Sequence, residues 1–230
     1  MTMLNNLLNH GYQAIPCNGK APIQSGWSSE DHDLTKTPPT HWEKRNVGIR
    51  TGQGSIPIYA IDIDIYDPDV SEKILRSGLN ILGLSPIRTG MQPKAMLFYR
   101  AEAGHKKIQR KWKDSTGEIH IVEILGHGQQ FIAGGIHPET KQPYSWDRGT
   151  YHDMSASQLI EVKHDAIKPW LGSITVPDDW VEIFKNGDLS TPFPDLAELK
   201  NRVNATMISR VNTVQGGGFT IQQAAQALAE

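Results

Sequence analysis

Several things are scarce in this sequence. Its 230 residues include one cysteine, Cys17, which excludes an intrachain disulfide framework and any multi-cysteine zinc site. No apolar run approaches the roughly 18 residues that a membrane span requires, and the N-terminus lacks a signal-peptide pattern. A cytoplasmic protein with no membrane partner is the expectation. The formal net charge is only −2, so no global positive field advertises nucleic acid, and any such binding must come from local patches. Hydrophobic residues at 38% against 21% charged exclude a fibrous or wholly disordered chain. What is present is enough chain for one sizeable domain plus a smaller one, with a real core.

Leu4, Leu7 and Leu8 fall on one helical face, and Gly11 is a plausible stop. Residues 15–45 read as loop, because Pro16, Gly19, Pro22, Gly26, Pro38 and Pro39 break any periodicity. Strand-like runs follow at 46–50 and 56–66. Asp69, with Glu72 three residues on, predicts a short helix that Gly78 ends. Further strands are expected at 85–89, 96–100, 119–125 and 130–133, and ETKQPYSW reads as a hairpin tip. From about 155 the pattern turns helical, with segments at 155–162, 179–184 and 195–211, a Gly216-Gly217-Gly218 hinge, and a last capped helix from Thr220. The expected division is therefore 1–154 and a mainly helical 155–230. A chain that stops inside a capped amphipathic helix is expected of a fragment of something longer.

The most informative stretch is Tyr59-Ala60-Ile61-Asp62-Ile63-Asp64-Ile65-Tyr66. In a strand, Ile61, Ile63 and Ile65 point one way and Asp62 and Asp64 the other, about 6–7 Å apart. Two like charges on one face of an apolar strand repel, so one carboxyl should hold its proton more tightly unless a cation lies between them. A divalent metal answers that problem; a solvated face answers it too. In Ile119-His120-Ile121-Val122-Glu123-Ile124-Leu125, Glu123 interrupts an apolar stripe. It needs a metal or a cationic partner, with Arg88 and Arg100 as candidates for the latter.

Arg88-Thr89-Gly90-Met91-Gln92-Pro93-Lys94 places two cations around a glycine turn, where phosphates can be held. Gly134-Gly135-Ile136-His137-Pro138 lets backbone approach a ligand, with an imidazole at a strand end. Lys106, Lys107, Arg110, Lys111 and Lys113 surround Trp112. That strip could follow a nucleic-acid backbone while the indole stacks on a base, or could be a solvated hairpin or helix face.

The order of these motifs resembles the bifunctional DNA primase/polymerase (prim-pol) domain of the archaeo-eukaryotic primase superfamily. The resemblance covers about residues 8–150. It opens with Ile15-Pro16, Gly19-Lys20-Ala21-Pro22 and Gly26-Trp27, and runs through Asn46–Gly52, Ile61-Asp62-Ile63-Asp64 and Arg88-Thr89-Gly90. It continues with Val122-Glu123-Ile124 and Gly135-Ile136-His137-Pro138, and closes with Pro143-Tyr144-Ser145-Trp146. The resemblance implies an α+β fold, an α/β unit packed on an RRM-like unit with a cleft between them, followed here by a C-terminal helical extension. It implies that Asp62, Asp64 and Glu123 are catalytic and bind Mg²⁺ or Mn²⁺. Arg88, Lys94 and His137 would bind the nucleotide, an NTP or dNTP. Lys106, Lys107, Arg110, Lys111 and Trp112 would bind a single-stranded DNA template.

One departure is clear. Many relatives carry a histidine in the second motif, after a Gly-Gly turn. Here the motif reads Gly90-Met91-Gln92-Pro93-Lys94, with Lys94 as the substitute phosphate-binding charge, in the manner of a phage- and prophage-type subgroup. The expected function is template-directed nucleotidyl transfer in a mobile-element replication system, with a helicase as a further partner. Two other readings stay open: a metal-dependent nuclease, and a catalytically silent nucleic-acid or nucleotide-binding module.

Overall fold

The alternation of apolar residues read above builds most of the molecule. The computed structural model describes residues 3–33, 45–150 and 153–183, all within the unit Met1–Thr191. Strands dominate and helices are few, so the α+β expectation stands. A short helix α1 (Met3–Asn9) buries Leu4 and Leu7, and Gly11 follows at φ +80°. Strands β1 (Ala14–Asn18), β2 (Ala21–Pro22), β3 (Asn46–Thr51) and, later in the chain, β9 (Gln129–Gly134) form a four-stranded sheet in the order β2-β1-β3-β9. The second sheet has seven strands. It contains β4 (Ile58–Asp64), β5 (Ile87–Thr89), β6 (Ala95–Arg100), β7 (Ile108–Lys113), β8 (Ile119–Leu125), β10 (Ser145–Asp147) and β11 (Val181–Glu182). Their order is β10-β5-β6-β4-β8-β7-β11.

Helices α2 (Pro68–Leu82) and α3 (His164–Ser173) cover one face of the larger sheet. There Ile61, Ile63, Ile65, Leu97, Tyr99, Val122 and Ile124 meet Val70 and Ile74 of α2 and Ile167 and Trp170 of α3. The opposite face packs on the smaller sheet through Ala60, Met96, Phe98 and Leu125 against Val47, Ile49, Phe131 and Ala133. Phe98 stacks between Phe131 and Trp146 at centroid distances of 4.8 and 5.0 Å. The two main core layers thus lie one on each side of β4, and a third, smaller cluster gathers Ile15, Cys17, Ile132 and Tyr144.

The structure corrects several sequence expectations. Residues 15–45 are not all loop, since β1 and β2 lie there. Gln13 O accepts from Arg50 N–H, so the alternate residues Ile15 and Cys17 carry the bonds to β3. Pro16, with no N–H to give, falls between them. The α2 cap is Asp67, not Asp69. Its side chain accepts from Val70 N–H at 2.9 Å, with Pro68 opening the helix. Gly78 does not end α2. It lies inside the helix, where a Cβ would meet Leu97 at 2.8 Å and Trp170 at 3.3 Å. The helix stops at Gly83, φ +99°. Residues 155–162 hold a 3-10 turn, Ala156–Gln158, and a parallel bridge from Glu161 to Arg100 rather than a helix. Of the helix expected at 179–184, the described residues 179–183 hold the strand β11 instead, and α3 forms where no helix is expected. Leu159, Val162, Ile167 and Trp170 are all buried in the two cores. The helices expected at 195–211 and from Thr220 lie outside the described residues.

The β7–β8 hairpin is organised by one carboxylate. Asp114 accepts from Thr116 N–H, Thr116 Oγ1 and Glu118 N–H at 2.7–2.9 Å. His120 Nδ1 accepts from Tyr66 N–H, so the proton sits on Nε2, which donates to Asp114 Oδ2 at 3.2 Å. The Thr116 bonds foremost, with the His120 and Glu118 bonds, hold the Asp114 carboxyl down at about 2, against 3.8 for a free aspartate. Its stabilisation is complete above pH 3.8 and is lost as pH falls through 2. Asp114→Asn should therefore lower Tm at pH 7, with the gap to the parent protein closing between about pH 4 and pH 2 in thermal melts. A constant gap across that range would refute the assignment.

Candidate active site

The register of β4 against its neighbours aligns the charged residues. Asp62 lies directly opposite Glu123 on β8 and opposite Met96 on β6. Arg88 on β5 faces Met96 from the other side, and Gln109 on β7 faces Glu123. One row across the sheet therefore reads Gln109, Glu123, Asp62, Met96, Arg88. Asp64 is one step further along β4, opposite Ile121 and just past the Ile63–Ala95 pair, next to Lys94. The period of two that buries Ile61 and Ile63 thus turns all three carboxylates to the face that meets the smaller sheet.

A cavity of about 190 Å³ opens there. Its lining includes Asp62, Asp64, Arg88, Gly90, Lys94 and Met96 from the larger sheet and its loops. Lys20, Gln130 and Phe131 come from the smaller sheet, and Tyr144 closes it. Burial first, then the neighbouring Asp64 and Glu123 charges, push the Asp62 carboxyl up to about 6, while Arg88 and Lys20 oppose them. Arg88 is buried, and that burial lowers its hold on a proton while Asp62 restores part of it. Its guanidinium stands 4.8 Å from the Tyr144 ring centroid, donates to Met96 Sδ at 3.2 Å, and leaves Nε without a hydrogen-bond partner among the described residues.

The two flanking carboxylates already have cations. Lys94 Nζ is 2.5 Å from Asp64 Oδ1 and 3.5 Å from the Tyr66 ring centroid. Burial works against its charge, but Asp64 and Tyr66 outweigh that and raise its pKa above the ordinary lysine value. Ser71 Oγ of α2 donates to Pro93 O at 2.7 Å, pinning the loop that carries Lys94. Glu123 accepts from Lys107 Nζ at 3.0 Å. Its partner is thus neither Arg88 nor Arg100; the latter pairs with Glu161 at 3.6 Å.

Among the described residues, no three His, Cys, Asp or Glu side chains stand together as a ready chelating group. The donor chemistry nevertheless suits a hard divalent cation, which takes oxygen ligands. Asp62 is held between two like charges in a half-buried setting, and a cation would relieve that repulsion. Loading would require Lys94 and Lys107 to give up Asp64 and Glu123.

His137 is buried behind the cavity wall rather than lining it. Its Nδ1 accepts from Glu139 and Thr140 N–H, each at 3.3 Å. A Cβ on Gly90 would meet the His137 ring at 2.8 Å. Burial first, then Lys20, keep it below the ordinary histidine pKa. The basic stretch divides by strand face. Trp112 is only 1% exposed and belongs to the helix-covered core, so its indole does not stand open to a base. Arg110 on the same face forms a two-pronged pair with Glu182, at 2.7 and 2.6 Å. It also donates to the carbonyls of Leu171, Gly172 and Ile174 at the end of α3. Lys111 lies on the opposite face of β7, while Lys106 and Lys107 precede the strand and are exposed, Lys107 paired with Glu123. Sequence reasoning missed Lys20, Gln130 and Tyr144 as cavity residues. Their signals, the Gly19-Lys20 turn and Pro143-Tyr144-Ser145-Trp146, were read only as pattern.

Fold and cleft together define a two-sheet α+β domain whose mixed-charge cavity suits a polyanion and its counter-cation. The family model of the bifunctional DNA primase/polymerase N-terminal (Prim-Pol) domain matches residues 4–161, and the chain belongs to that family. No curated protein matches it. At family level this is a DNA primase/polymerase-type nucleotidyltransferase, acting on DNA template and nucleotides, and such enzymes are generally dependent on divalent metal. Among the described residues no helix is long and apolar enough to cross a membrane.

Burial of Trp112 yields a test. Trp112→Ala should destabilise the protein by about 3–5 kcal/mol in urea denaturation. Trp112→Phe should leave single-strand affinity within about twofold, because an indole inside the core contributes no stacking. A large loss of affinity in Trp112→Phe at unchanged stability would return the indole to the template path.

Proposed function

We propose that the protein is a template-directed DNA primase/polymerase that transfers nucleotides by two-metal phosphoryl transfer, with Asp62, Asp64 and Glu123 holding Mg²⁺ or Mn²⁺. The observation that carries this reading is the register: Asp62 directly opposite Glu123, with Asp64 one step along the same face, beside Arg88 and Lys94. Bound metal would supply charge neutralisation on the triphosphate oxygens. In the reaction a 3′-hydroxyl oxygen gives up its proton to solvent and forms a bond to the α-phosphorus of the incoming nucleotide. The bond from that phosphorus to the bridging oxygen breaks, and pyrophosphate leaves. Arg88, fixed by burial, presents a guanidinium to phosphate oxygens with little loss of side-chain freedom. Lys94, once released from Asp64, is a mobile point charge a few ångströms away. His137 acts from behind, supporting the Gly90 turn and the Tyr144 ring. Lys106 and Lys111 are the proposed template contacts, and Lys107, paired with Glu123 here, would join them when Glu123 takes metal. A mobile-element setting is supported by the Pro93-Lys94 form of the second motif.

A nuclease would also use paired carboxylates and metal. The larger number of cavity cations, Lys20, Arg88 and Lys94 against Asp62 and Asp64, favours a bound triphosphate over a bare scissile phosphodiester. The test is incubation with single-stranded template, labelled nucleotides and Mg²⁺ or Mn²⁺, with and without primer. Strand growth is expected, and it should stop with EDTA. Asp62→Ala/Asp64→Ala should lower extension by at least about 100-fold while the melt stays cooperative. Extension that survives in the double variant, or strand loss without nucleotides, would overturn the proposal.

A further inference from the structure

Of the three cations lining the cavity, two are committed. Arg88 is buried against Met96 and Tyr144, and Lys94 is held by both Asp64 and the Tyr66 ring. Lys20 differs. It comes from the other sheet, and its only direct ion pair among the described residues is with Glu139, at 3.5 Å. Both side chains there are more than half exposed, 56% and 64%. An exposed pair of that kind holds its partners weakly. The ammonium nevertheless stands near enough to the opposite wall to act electrostatically on Asp62, and it lines the same cavity.

The backbone beneath Lys20 is fixed. Gly19 and Lys20 form the two-residue turn between β1 and β2, bounded by the Asn18–Ala21 pair. Gly19 takes φ +57° at the turn position where glycine is favoured. Asn46 Nδ2 donates to Gly19 O at 3.0 Å and to Ile136 O at 2.8 Å, while Asn46 Oδ1 accepts from Ile136 N–H at 2.8 Å. Gln130 Nε2 donates to Lys20 O at 2.8 Å. Gly135 is required for this arrangement, because it sits at φ +112° and a Cβ there would collide with Asn46 Oδ1. A rigid turn thus carries a mobile charge at the mouth of the cleft.

We infer that Lys20 is a further phosphate-binding residue, supplied by the smaller sheet and held in reserve by Glu139. A triphosphate that draws Lys20 away from Glu139 is gripped from both walls, by Arg88 and Lys94 on one side and Lys20 on the other. The inference rests on the proposed nucleotide site and deepens it. Its sign is unusual for a carboxylate beside a nucleotide. Glu139 competes with the ligand for Lys20, so removing its charge should tighten binding rather than weaken it.

The test is equilibrium binding of a fluorescent nucleoside triphosphate with Mg²⁺ at fixed ionic strength, with no template. Lys20→Ala should raise Kd about tenfold, the loss of one charge-assisted contact, and Lys20→Arg should recover most of it. Glu139→Gln should lower Kd about two- to threefold, the scale of an exposed ion pair. Glu139→Gln placed on Lys20→Ala should have no effect. Unchanged Kd in Lys20→Ala overturns the inference, as does tightening by Glu139→Gln when Lys20 is absent. Lys94→Ala separates this from the wider reading. If it weakens binding while Lys20→Ala does not, the inference about Lys20 alone fails; if neither changes Kd, the nucleotide site itself is misplaced.

Discussion

Like charges on one face of an apolar strand are the constraint on which this molecule turns. β4 buries Ile61 and Ile63 on its helix side, so Asp62 and Asp64 have no choice of side. The neighbouring strand then places Glu123 directly across from Asp62, where like charges ordinarily destabilise a sheet. A one-residue slip would relieve the repulsion, but it would also turn Val122 and Ile124 out of the core. The apolar layer therefore enforces an electrostatic conflict on the other face. Lys94 and Lys107 relieve it at the edges, while Asp62 between them carries what is left as a carboxyl pushed up to about 6.

The smaller sheet has a different task. It closes the cleft and lends backbone precision. The Phe98, Phe131 and Trp146 stack fixes the spacing of the sheets by dispersion and shape. Asn46, bridging Gly19 and Ile136, locks the β1–β2 turn to the strand end that carries His137. Two loops far apart in sequence are thereby held by one amide, which is why the Asn46, Gly19 and Gly135 positions act as a unit although none of them touches the carboxylates.

Much of this was legible from period-two patterning. β4 and β8 could be read because alternation over seven residues leaves one consistent face, and the intrusion of Glu123 stood out against it. What failed had physical causes. Pro16 looks like a loop residue until its place between hydrogen-bonded pairs is known. Asp67 and Asp69 both offer a cap, and Pro68 between them decides for the first. Gly78 resembles a helix stop, yet it is small because Leu97 and Trp170 press on it. In β7 the charges concealed the same alternation that was obvious elsewhere: Ile108, Arg110 and Trp112 share the helix side, and Arg110 is tolerated there because Glu182 and three carbonyls satisfy it. Neither Glu182 nor α3 is near in sequence, so no local reading could have supplied them. The Lys20 role was invisible for a related reason, since it depends on which wall the β1–β2 turn faces.

The lysine at position 94 changes how such a cleft is managed. An imidazole there could lose its charge near neutral pH. The Lys94 ammonium cannot, because a lysine titrates far above neutral pH, and Asp64 and Tyr66 raise it further. Before anything binds, it is therefore a counter-ion for Asp64. On the proposed reading Asp64 would hold the metal, and Lys94, released from it, would be free to bind phosphate. The ion alone would add charge to the cleft, while the lysine already lining it would be freed to turn to phosphate. On the same reading Lys107 and Glu123 would part in the same way. Metal loading, triphosphate grip and template grip would thus be linked through exchange of ion-pair partners.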